Sequence, residues 1–553
     1  MQLRYLAIPN FRNLREVELT FATQLSPLPS RPDEAAKPIR SHALIGQNGT
    51  GKSNLIEALI TIFRDVDLDQ EAAFDYTLEY EVRGHTVCIQ TDVDKQKRPY
   101  VWVDGQQQTQ AFLVKHAREY LPSHVFAYYS GKNERIESLF RTHQERYKQL
   151  LRNNDDDLVR RLFYCRSGHS QLVLLACMLS DDKVFKRLLD NLNIDSIESA
   201  LFVLKKPYAA RDLNVKDIQE GDPRFWFARG TVVSGFLNQL WQVAWAPVQE
   251  TRQVAIDFRR RPERQELLYL FVPSNEKLKL LGLEVGTPER FFRYAEAAYI
   301  GDLLEEVRIT VRKKSAQGEA IEFKQLSEGE LQMLTVLGLM RITRDDHCLF
   351  LLDEPDTHLN PIWKLRYFDD IEGVLGDPHA GGFDSGAFDG GAFDTSTGQS
   401  QILITTHDPM MVGSLKREQV HILRRQGNRT VVDVPDEHPQ GMGVTGLLKS
   451  ELFGLSSTLD VETERRLFRR NELFVKSPRT PEENAELSRL SAELADLGFS
   501  TADFRDPDYA LFVRKMAQHR KFRKPTLTPE EQAEQDRIAD EIIEEILREE
   551  AGE

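Results

Sequence analysis

The 553-residue sequence predicts an α/β fold built around a phosphate-binding loop, split by a mixed, mainly helical insertion and followed by a helical C-terminal region. Three observations carry this expectation. Gly46-Gln47-Asn48-Gly49-Thr50-Gly51-Lys52-Ser53 has the G-x-x-x-x-G-K-[ST] pattern. It lies between an apolar run fit for a buried strand, His42-Ala43-Leu44-Ile45, and a segment with helical spacing, Asn54 to Ile60. Far downstream a second apolar run, Cys348-Leu349-Phe350-Leu351-Leu352, ends in Asp353-Glu354.

The chemistry of the loop follows from its residue types. Glycines let the backbone turn its N–H groups toward phosphate oxygens, and a helix start adds a positive dipole end. Lys52 would reach the β- and γ-phosphates, and the Ser53 hydroxyl would hold Mg²⁺. A glycine-rich turn without ligand is the plainer alternative. The acidic pair argues against it: Asp353 at a strand end can bind Mg²⁺, and Glu354 can orient or deprotonate an attacking water.

The whole chain sets bounds. Its length suits three or four domain-sized units. The opening Met1-Gln2-Leu3-Arg4-Tyr5 reads as a strand and not a signal peptide, and no apolar run approaches a membrane span. Cys88, Cys165, Cys177 and Cys348 are scattered with no Cys-x-x-Cys, which disfavours zinc ribbons and redox dithiols and fits a cytoplasmic protein. The net charge of −15 argues against a generally sticky nucleic-acid binder. Residues 530–553 hold eleven acidic and two basic side chains, so −9 of that charge sits in the tail and −6 on the rest. A local basic groove on the main body stays open.

Taken in order, Leu3 to Phe21 predicts two linked strands around Pro9-Asn10-Phe11-Arg12-Asn13, and the proline-rich 24–40 predicts a loop. Tyr76 to Val103 alternates between turn signals as an antiparallel meander, and His124 to Tyr129 reads as a strand. The expected organisation is an N-terminal ATPase half over 1–135, the insertion over 136–318, a C-terminal ATPase half over 319–440 and a helical interaction region over 441–553. Within the insertion, Gln171–Met178 and Val184–Leu192 look helical, while Leu267–Val272 and Val307–Val311 look like strands. No sustained heptad marks a coiled-coil arm. Arg252, Arg259, Arg260, Arg261 and Arg264 form a basic cluster, most simply a solvated face. Residues 376–400 repeat Phe-Asp every five residues among small residues, which reads as a flexible loop. Thr480-Pro481-Glu482-Glu483 and Thr528-Pro529-Glu530-Glu531 read as capping boxes, the first before a face of Leu487, Leu490, Leu494 and Leu497. The second opens an acidic helix striped by Ile538, Ile542, Ile546 and Leu547, a candidate docking element; Arg514 to Lys524 is basic.

Leu326-Ser327-Glu328-Gly329-Glu330-Leu331-Gln332 makes the pattern specific. It is similar to the signature motif of ATP-binding-cassette (ABC) ATPases, in the variant of SMC-like, RecF-like and OLD-like proteins. Asp353-Glu354-Pro355-Asp356-Thr357-His358-Leu359-Asn360-Pro361 looks like a Walker B strand running into a D-loop, and Thr405-Thr406-His407 like the switch strand. Asn10-Phe11-Arg12-Asn13-Leu14 resembles the start of these proteins. The resemblance covers roughly 1–135 and 320–425. It implies an ABC-type P-loop ATPase domain, with Arg12 and Asn13 at the nucleotide and His407 toward the γ-phosphate. It further implies that Ser327, with Gly329 and Glu330 behind it, binds the γ-phosphate of ATP held by a second copy. Glu328 departs from the commoner glycine. The Q-loop is open between Tyr129-Ser130-Gly131-Lys132-Asn133 and Gln171.

A narrower resemblance rests on the short insertion, Leu452-Phe453-Gly454-Leu455-Ser456-Ser457-Thr458-Leu459-Asp460, and Arg505-Asp506-Pro507-Asp508-Tyr509-Ala510-Leu511-Phe512. It looks like PtuA-like ATPases of Septu-type anti-phage systems, some associated with retrons. That implies an ATPase subunit using ATP and Mg²⁺, a homo-oligomer, a separate HNH-type nuclease partner, and retron DNA as a conceivable nucleic acid. An SMC- or RecF-like repair or structural ATPase is the alternative. An OLD-like nuclease would need a Glu and a D-x-D at strand ends after His407, and residues 410–553 offer no such pattern.

Overall fold

The computed structural model describes residues 1–25, 38–131, 134–146, 161–166, 168–207, 210, 215–230, 232–254, 263–314, 318–343, 347–376, 400–455, 457–476, 478–497 and 528–551. Lys132 and Asn133, Arg259 to Arg261, the Phe-Asp repeats, Ser456 and the segments Arg505–Phe512 and Arg514–Lys524 lie outside the described residues. The chain divides into two compact units, Met1–Val434 and Pro435–Glu553.

The first unit is an α/β P-loop fold of three sheets. Its central sheet orders Arg429–Asp433, Val420–Gln426, Ser41–Ile45, Gln401–Thr405, Leu349–Asp353, Val125–Tyr129 and Leu162–Tyr164. All neighbours run parallel except the Arg429–Asp433 edge. Ser41–Ile45, Leu349–Asp353 and Gln401–Thr405 are buried along their whole length, which explains their unbroken apolar character. Asp353 is in register with Thr405 on one side and Tyr129 on the other, and Thr405 with Leu44. The carboxyl ends of four strands therefore finish in one line.

A six-stranded antiparallel sheet orders Leu14–Thr20, Gln2–Phe11, Thr77–Val82, His85–Asp92, Gln96–Val103 and Gln106–Gln108. It contains the expected opening hairpin and meander. The helix Lys52–Asp67 shares one core with it, where Leu55, Leu59 and Phe63 meet Leu6, Leu78 and Tyr80. Burial of these side chains is what fixes the helix, and hence the loop before it.

The insertion contains the two expected helices, at His169–Met178 and Lys183–Asn191. It also holds a sheet larger than the two strands read from sequence. Five antiparallel strands order Trp245–Val254, Glu263–Val272, Ile194–Lys205, Leu304–Lys313 and Ala320–Glu322, the last lying just past the expected boundary at 318. The Leu162–Tyr164 strand, from within the same stretch of sequence, adds to the central sheet.

The second unit is helical, with helices Gly443–Lys449, Val461–Val475, Pro481–Asp496 and Pro529–Ala551. Both capping boxes form: Thr480 with Glu483, and Thr528 with Glu531. Leu490 and Leu494 are buried while Leu497 is exposed. Ile538 and Ile542 are buried, so this part of the C-terminal stripe is already covered. No helix among the described residues is long and apolar enough to cross a membrane.

Candidate nucleotide-binding site

The loop from Gly46 to Gly51 links the end of the Ser41–Ile45 strand to the start of the Lys52–Asp67 helix. Gly46, Gly49 and Gly51 have φ of 155°, 84° and 110°. Two of these glycines are also required sterically. A Cβ on Gly46 would lie 2.4 Å from the main-chain oxygen of Leu423, and one on Gly51 2.4 Å from the Leu14 side chain. Thr50 closes the turn by donating its N–H and Oγ1–H to the Gln47 carbonyl. Lys52 is buried and folds back, its Nζ donating to the Gly46 carbonyl at 2.8 Å. Burial lowers its pKa, and the nearby Glu354 and Asp353 carboxylates oppose that shift.

The opening hairpin closes on this loop. Asn13 donates to the Gly49 carbonyl at 2.8 Å and accepts from Asn54 at 2.6 Å. Arg12, at φ 54° in the hairpin turn, pairs with Glu57 on the P-loop helix. Glu57 also holds Arg135, from the Glu134–Leu139 helix, at 3.0 Å. The Glu57 side chain is 1% exposed, whereas Arg12 and Arg135 are half exposed. Arg135 further donates to Asn54 at 3.3 Å. Neither Glu57 nor Arg135 is marked by a motif; the one signal in the sequence is a carboxylate inside the apolar run Leu55 to Phe63 of that helix.

Asp353 is fully buried at the end of its strand. One of its oxygens accepts from the Thr405 hydroxyl. Its Oδ2 has no hydrogen-bond partner among the described residues. Burial raises its pKa, and the nearby Thr405 and Ser53 side chains oppose that shift. A buried carboxylate oxygen without a donor, beside the Ser53 hydroxyl, is a pair of oxygen ligands suited to a divalent cation.

Glu354 adopts φ 48°, a costly conformation for a non-glycine residue. Its N–H donates to the main-chain and side-chain oxygens of Thr405, both at 3.1 Å. That turn brings its carboxylate to 3.2 Å from Nδ1 of His407. Thr357 donates to Ser130 at 2.9 Å, joining the segment after Glu354 to the end of Val125–Tyr129. Gln171, by contrast, lies in the first turn of His169–Met178.

Ser327 caps the helix Glu328–Ile342. Its Oγ receives the Glu330 N–H and donates to the Glu330 carboxylate, which also pairs with Lys313 at 3.0 Å. The helix start packs on the segment after Glu354. Gln332 donates to the Pro355 carbonyl, Glu328 pairs with His358 at 3.1 Å, and a Cβ on Gly329 would lie 2.5 Å from the His358 carbonyl. Gly46 to Ser53, Arg12, Asn13, Asp353, Glu354 and His407 thus gather at one sheet edge, while Ser327, Gly329 and Glu330 meet the loop that leaves it.

Residues 209–412 match the family described as "AAA domain, putative AbiEii toxin, Type IV TA system". The matched span takes in Ser327, Asp353, Glu354 and His407 but begins after the P-loop. No curated protein matches the chain. Among solved structures it is similar to the SMC head domain from Thermotoga maritima, at 13% identity and a TM-score of 0.30, over 78% of this chain and 99% of that one.

Proposed function

We propose that this chain is an ABC-class ATPase that binds and hydrolyses Mg²⁺–ATP at sites shared between two copies. The observation that carries this reading is the line of strand ends that puts a P-loop, an unpartnered Asp353 oxygen and the Glu354–His407 pair at one edge. Such an edge is where ligands bind in open α/β sheets.

The roles assigned in this reading combine the geometry with the resemblance to ABC ATPases. Main-chain N–H groups of the loop and of the helix start at Lys52 and Ser53 are offered to the phosphates, Lys52 neutralises them, and Asn13 holds the loop through Gly49. Arg12 adds a second cation beside the loop. Ser53 and Asp353 hold Mg²⁺, which when bound offsets charge on the β- and γ-phosphates. Glu354 orients the water and accepts its proton, and His407 fixes the Glu354 carboxylate and faces the γ-phosphate. Ser327, at a helix N-terminus, serves the nucleotide of the second copy, with Glu330 holding its hydroxyl and Gly329 allowing close approach to the His358 backbone.

The finer reading is an ATPase subunit of a cytoplasmic anti-phage defence complex that controls a separate HNH-type nuclease, with retron DNA as a conceivable ligand. It rests on the resemblance around Leu452–Asp460 and Arg505–Phe512. The test is to purify the chain with its native gene neighbours, measure the mass of the complex, and assay ATP and DNA cleavage. Co-purification of a nuclease supports the defence reading. An ATPase that binds DNA and recovers no nuclease supports the SMC- or RecF-like alternative.

A further inference from the structure

The five-stranded sheet of the insertion ends in Trp245–Val254, which among the described residues pairs with Glu263–Val272 on one side only. Residues 245–253 are all exposed, and the apolar Trp245 and Val248 are 69% and 54% exposed. An edge of this length is a ready template for another strand. Many proteins guard such edges with proline, bulges and charge. Here those devices confine the edge more than they block it. Pro247 and the register break between Trp245 and Val248 stop the ladder at one end. From Val248 to Val254 the register is unbroken, a seven-residue segment whose midpoint is Thr251.

The charges select a partner. Glu250 and Arg252 stand two residues apart, hence on one face, with side chains 48% and 55% exposed and a loose ion pair of 3.9 Å between them that a facing strand can exchange for closer ones. The Tyr269 hydroxyl donates to Glu250 at 3.0 Å and steadies its carboxylate. In an antiparallel pair of identical strands related by a two-fold axis through the sheet, opposed residues must share a face. Such a pair can therefore centre only on a residue. Centring on Glu250 or on Arg252 opposes like charges. Centring on Thr251 opposes Glu250 with Arg252 twice and Gln249 with Gln253 twice, and uses the whole regular segment.

We infer that a second copy of this chain docks here, the two Val248–Val254 edges pairing antiparallel about Thr251 to join two five-stranded sheets into one of ten. This contact is independent of ATP, and so differs from the nucleotide-bridged dimer proposed above.

The test is sedimentation of nucleotide-free full-length protein over a range of concentration, with amide exchange followed across residues 245–254. The expected result is a monomer–dimer equilibrium with slower exchange at alternate amides of Val248–Val254 as concentration rises. Each charge reversal acts at both symmetric pairs. Glu250→Arg and Arg252→Glu should therefore each weaken the dimer by about tenfold or more, while melting at the wild-type temperature. The double exchange Glu250→Arg/Arg252→Glu should restore it. A monomer at all concentrations, a dimer indifferent to either reversal, or a double exchange that fails to restore pairing would each overturn the inference. So would a monomer whose edge captures a strand from a different protein.

Discussion

The Glu354 carboxylate and the His407 imidazole stand 3.2 Å apart, each just beyond the end of one of two adjacent parallel strands. The left-handed backbone at Glu354 creates this approach, because an extended chain would carry the side chain past the sheet edge. Glu354→Gln keeps the size and the backbone but cannot accept a proton. It should bind ATP like wild type and lose turnover by about a hundredfold or more. A nucleotide-binding titration beside a phosphate-release assay checks this, and equal hydrolysis would remove Glu354 from the chemistry.

The proposed composite site makes a prediction about mixtures. Lys52→Ala removes the cation folded over Gly46, and Ser327→Arg fills the helix start that serves the other copy. Each variant alone should be inactive. Mixed dimers should regain about half their sites, because one interface then carries both an intact P-loop and an intact Ser327. Phosphate release after mixing equal amounts measures it, and a fully active monomer would exclude sharing.

The sequence made the loop and the acidic strand legible because both are local. The P-loop spans eight residues, and Leu349–Asp353 is buried on both faces and so reads as an apolar run. The capping boxes were readable for the same reason, their partners lying three residues apart. What escaped depends on distant pairing. Ile194–Lys205 is central to the insertion sheet, yet its partners lie beyond residue 262. Glu57 meets Arg12 and Arg135 from far along the chain in both directions. No periodicity within a window encodes such contacts.

His42 and His421 illustrate a further long-range pair. They are buried on neighbouring strands with Nδ1 of His42 3.1 Å from Nε2 of His421, and Phe21 lies edge-on to both. Burial holds His421 down to about 4 and holds His42 well below its ordinary 6.5. The unfolded chain therefore binds more protons than the native one between these values. Their contribution is complete above pH 6.5 and is lost as pH falls toward 4, amounting to a few kcal/mol. The raised carboxyls of Asp65 and Asp353 act in the opposite sense. A comparison isolates the histidines: His42→Leu/His421→Leu should lose less stability than wild type between pH 7 and 5 in denaturant titrations.

Gly329 tests whether the signature helix must sit against the loop after Glu354. An added Cβ would meet the His358 carbonyl at 2.5 Å, and backbone cannot swing aside as a side chain can. Gly329→Ala should push the start of Glu328–Ile342 away from His358 and strain the Glu328–His358 pair. Stability should fall by about 1–3 kcal/mol. ATP binding to the P-loop should persist while turnover drops, since Ser327 is displaced from its place at the helix start. Nucleotide titration and phosphate release on the same preparation separate the two effects.

The last prediction separates stability from function at Glu57. Desolvation raises the pKa of this buried carboxyl despite the charges of Arg135 and Arg12. The ion pairs thus do not fully offset the cost of burial, and a well-packed apolar side chain there need not destabilise the fold. Glu57→Met preserves much of the volume, and the half-exposed guanidinium groups of Arg12 and Arg135 can turn to water. Its free energy of unfolding should lie within about 1 kcal/mol of wild type in denaturant titrations. Arg12, however, would lose the anchor that holds it beside the P-loop. If Arg12 faces the nucleotide, affinity for Mg²⁺–ATP should fall about tenfold. The same loss should follow Arg12→Ala, and combining the two substitutions should add little further, because both remove one positioned cation. Full additivity would instead assign Glu57 a role separate from Arg12.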